Sequence, residues 1–249
     1  MTQVYFIGAG PGDPELLTLK AARLIGMADL VLYAGSLVPT AALAEARDNA
    51  KIVDSAPLTL EEQHALVLET VRAGGLVARV HTGDPALFGA VREQAELLDK
   101  EGVEWEVVPG VSAAFAAAAA AKVSFTQPGG TQSLIVTRLA GRTPVPESEN
   151  LRELARHGSA LAIYLSAGDA DGVQRELLAG GLDPATVIVV GHRVGWPDGS
   201  ILETTLAHMA QAVKEAGFTR QAVFLVLPGQ AASGRSKLYD AAFSHLYRR

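Results

Sequence analysis

Val4-Tyr5-Phe6-Ile7-Gly8-Ala9-Gly10-Pro11-Gly12-Asp13-Pro14-Glu15 runs from an apolar stretch through a glycine-rich turn directly into a helical pattern. The apolar part predicts a strand over 4–8. Leu16, Leu17, Leu19, Ala22 and Leu24 then recur at helical spacing and predict a helix over 14–28, with Asp13 as its N-cap. Glycines at such a junction let bare backbone and a helix N-terminus approach a ligand, which points to a nucleotide-like cofactor. The details argue against a nicotinamide dinucleotide. Its fingerprint is G-x-G-x-x-G with an acid roughly 20 residues further on. Here the glycines fall at 8, 10 and 12, and Pro11 has no N–H to offer a pyrophosphate. The next apolar run, Leu30-Val31-Leu32-Tyr33, ends in Ala34-Gly35-Ser36, with no carboxylate for a ribose.

Outward from this stretch, strand and helix signals alternate. Strands are predicted at 30–33, 51–53, 76–80 and 105–108, and helices at 58–73, 86–100 and 113–121. Thr59 with Glu62 three residues later has the form of a capping box, and Ser112 is placed to cap the alanine-rich helix. Beyond Phe125-Thr126-Gln127-Pro128-Gly129-Gly130 the texture changes. A strand is predicted at 132–137, then a polar loop over 138–150. Further strands follow at 161–165, 186–190, 201–204 and 222–227, with helices at 169–179 and 206–216. The expected architecture is two α/β domains, 1–120 and 126–249, with mostly parallel central sheets and a boundary near 115–130.

The 249 residues are 49% hydrophobic and 19% charged, ample for a buried core. A net charge of -6 argues against a nucleic-acid partner. The absence of cysteine excludes disulfides, thiolate zinc sites and cysteine nucleophiles. The six histidines (64, 81, 157, 192, 208 and 245) show no metal-ligand spacing. Without a signal-peptide pattern or a long apolar run, the chain reads as soluble and cytoplasmic, with no membrane partner.

Gly10-Pro11-Gly12-Asp13-Pro14, Gly83-Asp84-Pro85 and Pro109-Gly110-Val111-Ser112 each follow a predicted strand. Ligands of open α/β sheets sit at the carboxyl ends of the strands, so the three turns converge if their strands are neighbours. Gly8 to Thr18, Gly83-Asp84-Pro85-Ala86-Leu87-Phe88-Gly89 and Pro109 to Ala113 also carry a resemblance. In order and spacing they resemble the S-adenosylmethionine-dependent tetrapyrrole methylases of vitamin B12 and sirohaem synthesis, over nearly the whole chain. Tyr33 to Pro39, Ser133 to Pro146 and His192 to Gly199 look like the branch that methylates C11 of precorrin-4. The cobalt-containing substrate, another precorrin and uroporphyrinogen III stay open as alternatives. An rRNA methylase of the same fold and a non-catalytic binding module are further rivals.

The resemblance implies a cofactor held between two domains, S-adenosylmethionine, leaving as S-adenosylhomocysteine. It implies cofactor contacts at Pro11, Thr82, Gly83, Asp84, Leu87, Phe88, Ser112 and Ala113, with Leu165, Val194 and Val226 toward the adenosine. No metal and no covalent enzyme intermediate are required. Asp84 is the candidate for assisting or orienting catalysis, its alternative role being an N-cap for the following helix. His81 is a second candidate, its alternative being a core histidine. The substrate is a polycarboxylate macrocycle, and arginine binds carboxylates bidentately. Arg138, Arg142 and Arg193 are therefore candidate substrate contacts, together with Tyr33, Ser36 and Trp196. Relatives imply a homodimer.

Overall fold

The computed structural model describes residues 2–230 together with Ser236, Phe243 and Ser244. His245 and most of the end of the expected second domain lie outside the described residues. The chain divides into two compact units. Residues up to Ala116 together with Arg193–Asp198 form the first, and the other described residues form the second.

The first unit contains β1 (Val4–Gly8), α1 (Leu19–Met27), β2 (Leu30–Tyr33), β3 (Lys51–Asp54), α2 (Leu60–Arg72), β4 (Val77–His81), α3 (Val91–Lys100) and β5 (Trp105–Val108). Its sheet has the order β3-β2-β4-β1-β5, and every pair is parallel. Alternation along the strands splits the core into two layers. Ile7, Val31, Ala78 and Val80 pack with Ala21, Leu24 and Ile25 of α1. Phe6, Leu30, Leu32 and Val77 pack with Val67 of α2 and Leu98 of α3. Each large side chain buried in this way stabilises the fold by about 1.5–3 kcal/mol.

Local chemistry explains the helix ends. The Thr59 hydroxyl accepts from the Glu62 amide while the Glu62 carboxylate accepts from the Thr59 amide, the reciprocal pair expected at α2. The helix predicted over 14–28 is broken. Asp13 accepts from the Glu15 amide and caps only a short 3-10 turn, Pro14–Leu16, and Thr18 caps α1 proper by accepting from Ala21. The helix predicted from residue 86 begins only at Val91. Phe88 and Ala90 hold left-handed φ values of 56° and 49°, which a helix does not admit.

In α4 (Ala113–Ala120) the Ser112 carbonyl accepts from the Phe115 and Ala116 amides at the first turn. The second unit then contains β6 (Leu134–Arg138), α5 (Leu151–Ala155), β7 (Ala160–Tyr164), α6 (Ala170–Ala179), β8 (Val187–His192), β9 (Ser200–Thr205), α7 (Met209–Glu215) and β10 (Ala222–Leu227). Its sheet runs β6-β7-β10-β8-β9. One face packs against α5, α6 and α7 through Leu151, Val173, Leu177, Met209 and Val213.

This second sheet is mixed, whereas strand–helix alternation predicts mostly parallel strands. Only β6 and β7 run parallel; the other pairs are antiparallel. The reason is local. No helix separates β8 from β9, so they pair as a hairpin in register from Val187↔Thr205 to His192↔Ser200.

Candidate functional site

The carboxyl ends of β1, β4 and β5 carry the glycine turns, and adjacency in the sheet brings these turns together. A β-carbon on Gly8 would lie 2.6 Å from the Gly110 amide nitrogen and 2.6 Å from the Gly83 carbonyl oxygen. Only bare backbone fits at that junction. Gly10 and Gly83 form an isolated bridge: the Gly83 amide donates to the Gly10 carbonyl at 2.7 Å, and the Gly10 amide donates back at 3.2 Å. Ser112 and Ala113 lie beside the same point, since a β-carbon on Gly83 would come 3.9 Å from Ser112 Cα and 4.0 Å from the Ala113 amide. The structure thus assembles Pro11, Thr82, Gly83, Asp84, Ser112 and Ala113 on one edge.

Asp84 ties two of these turns. Its Oδ1 accepts from the Ala86 amide at 2.8 Å and its Oδ2 from the Gly110 amide at 3.0 Å. It caps no helix, because α3 starts further on. The segment it leads into, Leu87-Phe88-Gly89, is held by the Leu87 amide donating to the Asp84 carbonyl at 3.1 Å. Phe88 is 49% exposed although large and apolar, and its φ is left-handed. A backbone state of this kind is costly for a residue with a side chain.

After β2, Asp54 holds the turn that carries Tyr33 and Ser36. Its Oδ1 accepts from Gly35 at 2.8 Å and from Ala56 at 2.9 Å, and these amides, Ala56 first, hold its carboxyl below the usual range. Sequence reasoning did not single out Asp54. Its only signal is that it ends a strand beside a Gly-Ser turn.

His81 lies immediately before Thr82 but faces the α2–α3 layer. It is 7% exposed, packs against Phe6 at 5.9 Å between ring centroids, and its buried Nε2 has no partner among the described residues. Burial, with the Arg79 charge nearby, pushes its imidazole down to about 3. Its burial and its packing against Phe6 fit the core histidine that was the alternative reading of this residue. Arg79 itself is buried, pulled down to about 10 by desolvation, and donates to Gln94 at 2.9 Å and to the Leu32 carbonyl at 3.2 Å.

The excursion Arg193–Asp198 closes on the first glycine turn. Gly12 has a φ of 149°, and a β-carbon there would fall 2.7 Å from Trp196 Nε1. A β-carbon on Gly195 would likewise fall 2.7 Å from the Asp13 amide nitrogen. The Arg193 guanidinium stacks 4.0 Å from the centre of the Trp196 ring, and its Nε donates to Asp198 at 2.8 Å. Val194 is half-buried in the same segment. Neither Asp198 nor the Gly12–Trp196 contact was anticipated, because residues so far apart in the chain leave no periodic trace.

The remaining candidates belong to the second unit. Leu165 is 71% exposed at a φ of 54°. Val226 is fully buried within the core beneath α5–α7, so its side chain is spent on packing, contrary to its expected place at a cofactor. Arg138 donates to the carbonyls of Leu139, Thr143 and Pro144, the last at 2.7 Å, and so staples its own loop. Arg142 is exposed in that loop.

An all-parallel glycine-turn unit joined to a mixed-sheet unit is the frame of a methylase family, and the chain belongs to it. Residues 3–210 match the family described as Tetrapyrrole (Corrin/Porphyrin) Methylases. Among its relatives, the cobalt-precorrin-4 C(11)-methyltransferase of Priestia megaterium is 44% identical, covering 99% of this chain and 98% of that protein. The precorrin-4 C(11)-methyltransferase of Pseudomonas aeruginosa is 45% identical, covering 98% of each. The solved cobalt precorrin-4 methyltransferase CbiF superposes with a TM-score of 0.88 at 45% identity, over 90% of this chain and 93% of that one. A Thermus thermophilus uroporphyrin-III C-methyltransferase complexed with S-adenosylhomocysteine gives 0.76 at 32%, over 90% and 96%.

Proposed function

We propose that the protein transfers the methyl group of S-adenosylmethionine to C11 of precorrin-4 during assembly of the cobalamin ring. The observation that carries this reading is the backbone contact of Gly8, Gly83 and Gly110, which brings the three glycine turns together at the carboxyl edge of the sheet, where open α/β sheets bind their ligands. Relatives of the same branch along nearly the whole chain support the choice of substrate.

Bound at that edge, S-adenosylmethionine supplies an electrophilic methyl on positively charged sulfur. The protein's part is alignment, which lowers barriers of this kind by roughly 7–11 kcal/mol. Thr82, Gly83, Ser112 and Ala113 offer backbone groups to the cofactor, and Pro11, Leu87, Phe88 and Val194 add apolar contacts. Leu165, exposed at a left-handed φ, is proposed for the adenosine. Asp84 has both oxygens engaged by amides, which favours holding the turns in place over accepting a proton. Tyr33, Ser36 and Arg193 are proposed for the macrocycle, Arg193 for one of its carboxylates. Arg138 fits a loop staple better.

The test incubates purified protein with methyl-labelled S-adenosylmethionine and either precorrin-4 or cobalt-precorrin-4, since relatives of both kinds match at similar identity. Label is expected on C11 of the macrocycle. Label that stays on the cofactor with both substrates overturns the reading. By analogy with relatives the protein acts as a cytoplasmic homodimer, and a solution mass near the chain's 26.0 kDa overturns that assignment.

A further inference from the structure

The proposed function gives Arg193 to a substrate carboxylate, and the role inferred for its neighbours rests on that assignment. A surface arginine samples many rotamers, and ordering it on binding costs affinity. Arg193 is already held from three sides. Its guanidinium lies on the Trp196 ring, its Nε donates to Asp198, and its carbonyl accepts from the Trp196 amide at 2.9 Å. Its own backbone sits at a φ of 46°, a conformation costly for a side-chain-bearing residue. Trp196 in turn abuts Gly12, where no β-carbon fits. The ring thus spends its edge on the glycine turn and one face on the guanidinium, and serves as a platform for the arginine.

The two partners of the ion pair are unequal. The Arg193 side chain is 22% exposed and the Asp198 side chain 64%. With its carboxylate largely in solvent, the pair contributes little to stability. We infer that Asp198 and Trp196 are positioning residues that preset the Arg193 guanidinium as a receptor for one acidic side chain of the tetrapyrrole. Asp198 fixes the rotation of the guanidinium, Trp196 fixes its plane, and Gly12 fixes Trp196.

The experiment compares Asp198→Ala, Asp198→Glu, Trp196→Phe, Arg193→Ala and the Asp198→Ala/Arg193→Ala double variant in the intact protein. Readouts are steady-state kinetics with the tetrapyrrole and calorimetric titration with S-adenosylhomocysteine. Asp198→Ala is expected to raise the tetrapyrrole KM about tenfold, with kcat and S-adenosylhomocysteine affinity within about twofold of the parent. Asp198→Glu is expected to recover most of that loss, and Trp196→Phe, which keeps an aromatic face beneath the guanidinium, is expected to raise KM by less than Asp198→Ala does. The double variant is expected to be no worse than Arg193→Ala alone. Retained S-adenosylhomocysteine binding shows that each variant is folded. An unchanged KM in Asp198→Ala, or additive losses in the double variant, overturns the inference. A parent protein that methylates no tetrapyrrole overturns the proposed function instead.

Discussion

Gly8 and Gly110 meet backbone to backbone, with 2.6 Å between the site of a missing β-carbon and an amide nitrogen. Gly8→Ala must therefore push the β1 and β5 turns apart. Overpacking of this kind costs about 1–3 kcal/mol. Chemical unfolding should show that loss, and calorimetry should show S-adenosylhomocysteine binding weakened by at least about tenfold, or ~1.4 kcal/mol. Unaltered affinity would mean that the cofactor does not use this junction.

Asp84→Asn replaces one carboxylate oxygen with an amide that donates. One of the Ala86 and Gly110 amides then loses its acceptor, a penalty of about 1–3 kcal/mol. Both thermal stability and cofactor affinity should fall. A variant that loses turnover while keeping stability and affinity would instead assign Asp84 a direct part in the chemistry.

His81 links stability to pH. Its folded pKa of about 3 lies below the ordinary 6.5, so the unfolded chain takes up a proton as pH falls through 6.5 while the folded protein does not. The stabilising difference is therefore present above pH 6.5 and is lost as pH drops from there toward 3. Between pH 7 and pH 5 the loss amounts to about 2 kcal/mol. Urea titrations at the two pH values should reveal it in the parent and not in His81→Phe. An equal loss of stability between the two pH values in both proteins would refute the assignment.

Phe88→Gly removes an exposed aromatic and relieves its left-handed backbone. Stability should change by less than about 1 kcal/mol, because strain relief offsets the added chain entropy. Affinity for S-adenosylhomocysteine should drop about tenfold by calorimetry. Undiminished affinity would remove Phe88 from the cofactor contacts.

Legibility from sequence followed the range of the interactions. β1, β2, β5 and β10 have the bounds that their apolar runs predict, and Thr59 with Glu62 announced α2, because each depends on neighbours a few positions away. The late start of α3 was hidden, since the left-handed residues Phe88 and Ala90 carry no glycine to signal them. α5 was overlooked although Asn150 accepts from the Glu153 amide at its first turn; five residues are too few for a periodic signal. In the second sheet, all of β10 is buried, and a strand covered on both faces looks the same whether its neighbours run with it or against it. The convergence of the glycine turns on one sheet edge was readable. Asp54 and Asp198, which brace residues beside that edge, were not, because a lone carboxylate in a turn looks like any solvated one.

Arg193–Asp198 lies far along the chain yet is counted with residues 1–116. Engineers building chimaeras from two homologous parents would therefore have to carry this hexapeptide across with the amino-terminal half, or else seat one parent's tryptophan on the other parent's glycine. A recombination library with crossovers on either side of that stretch should lose most of its functional members there.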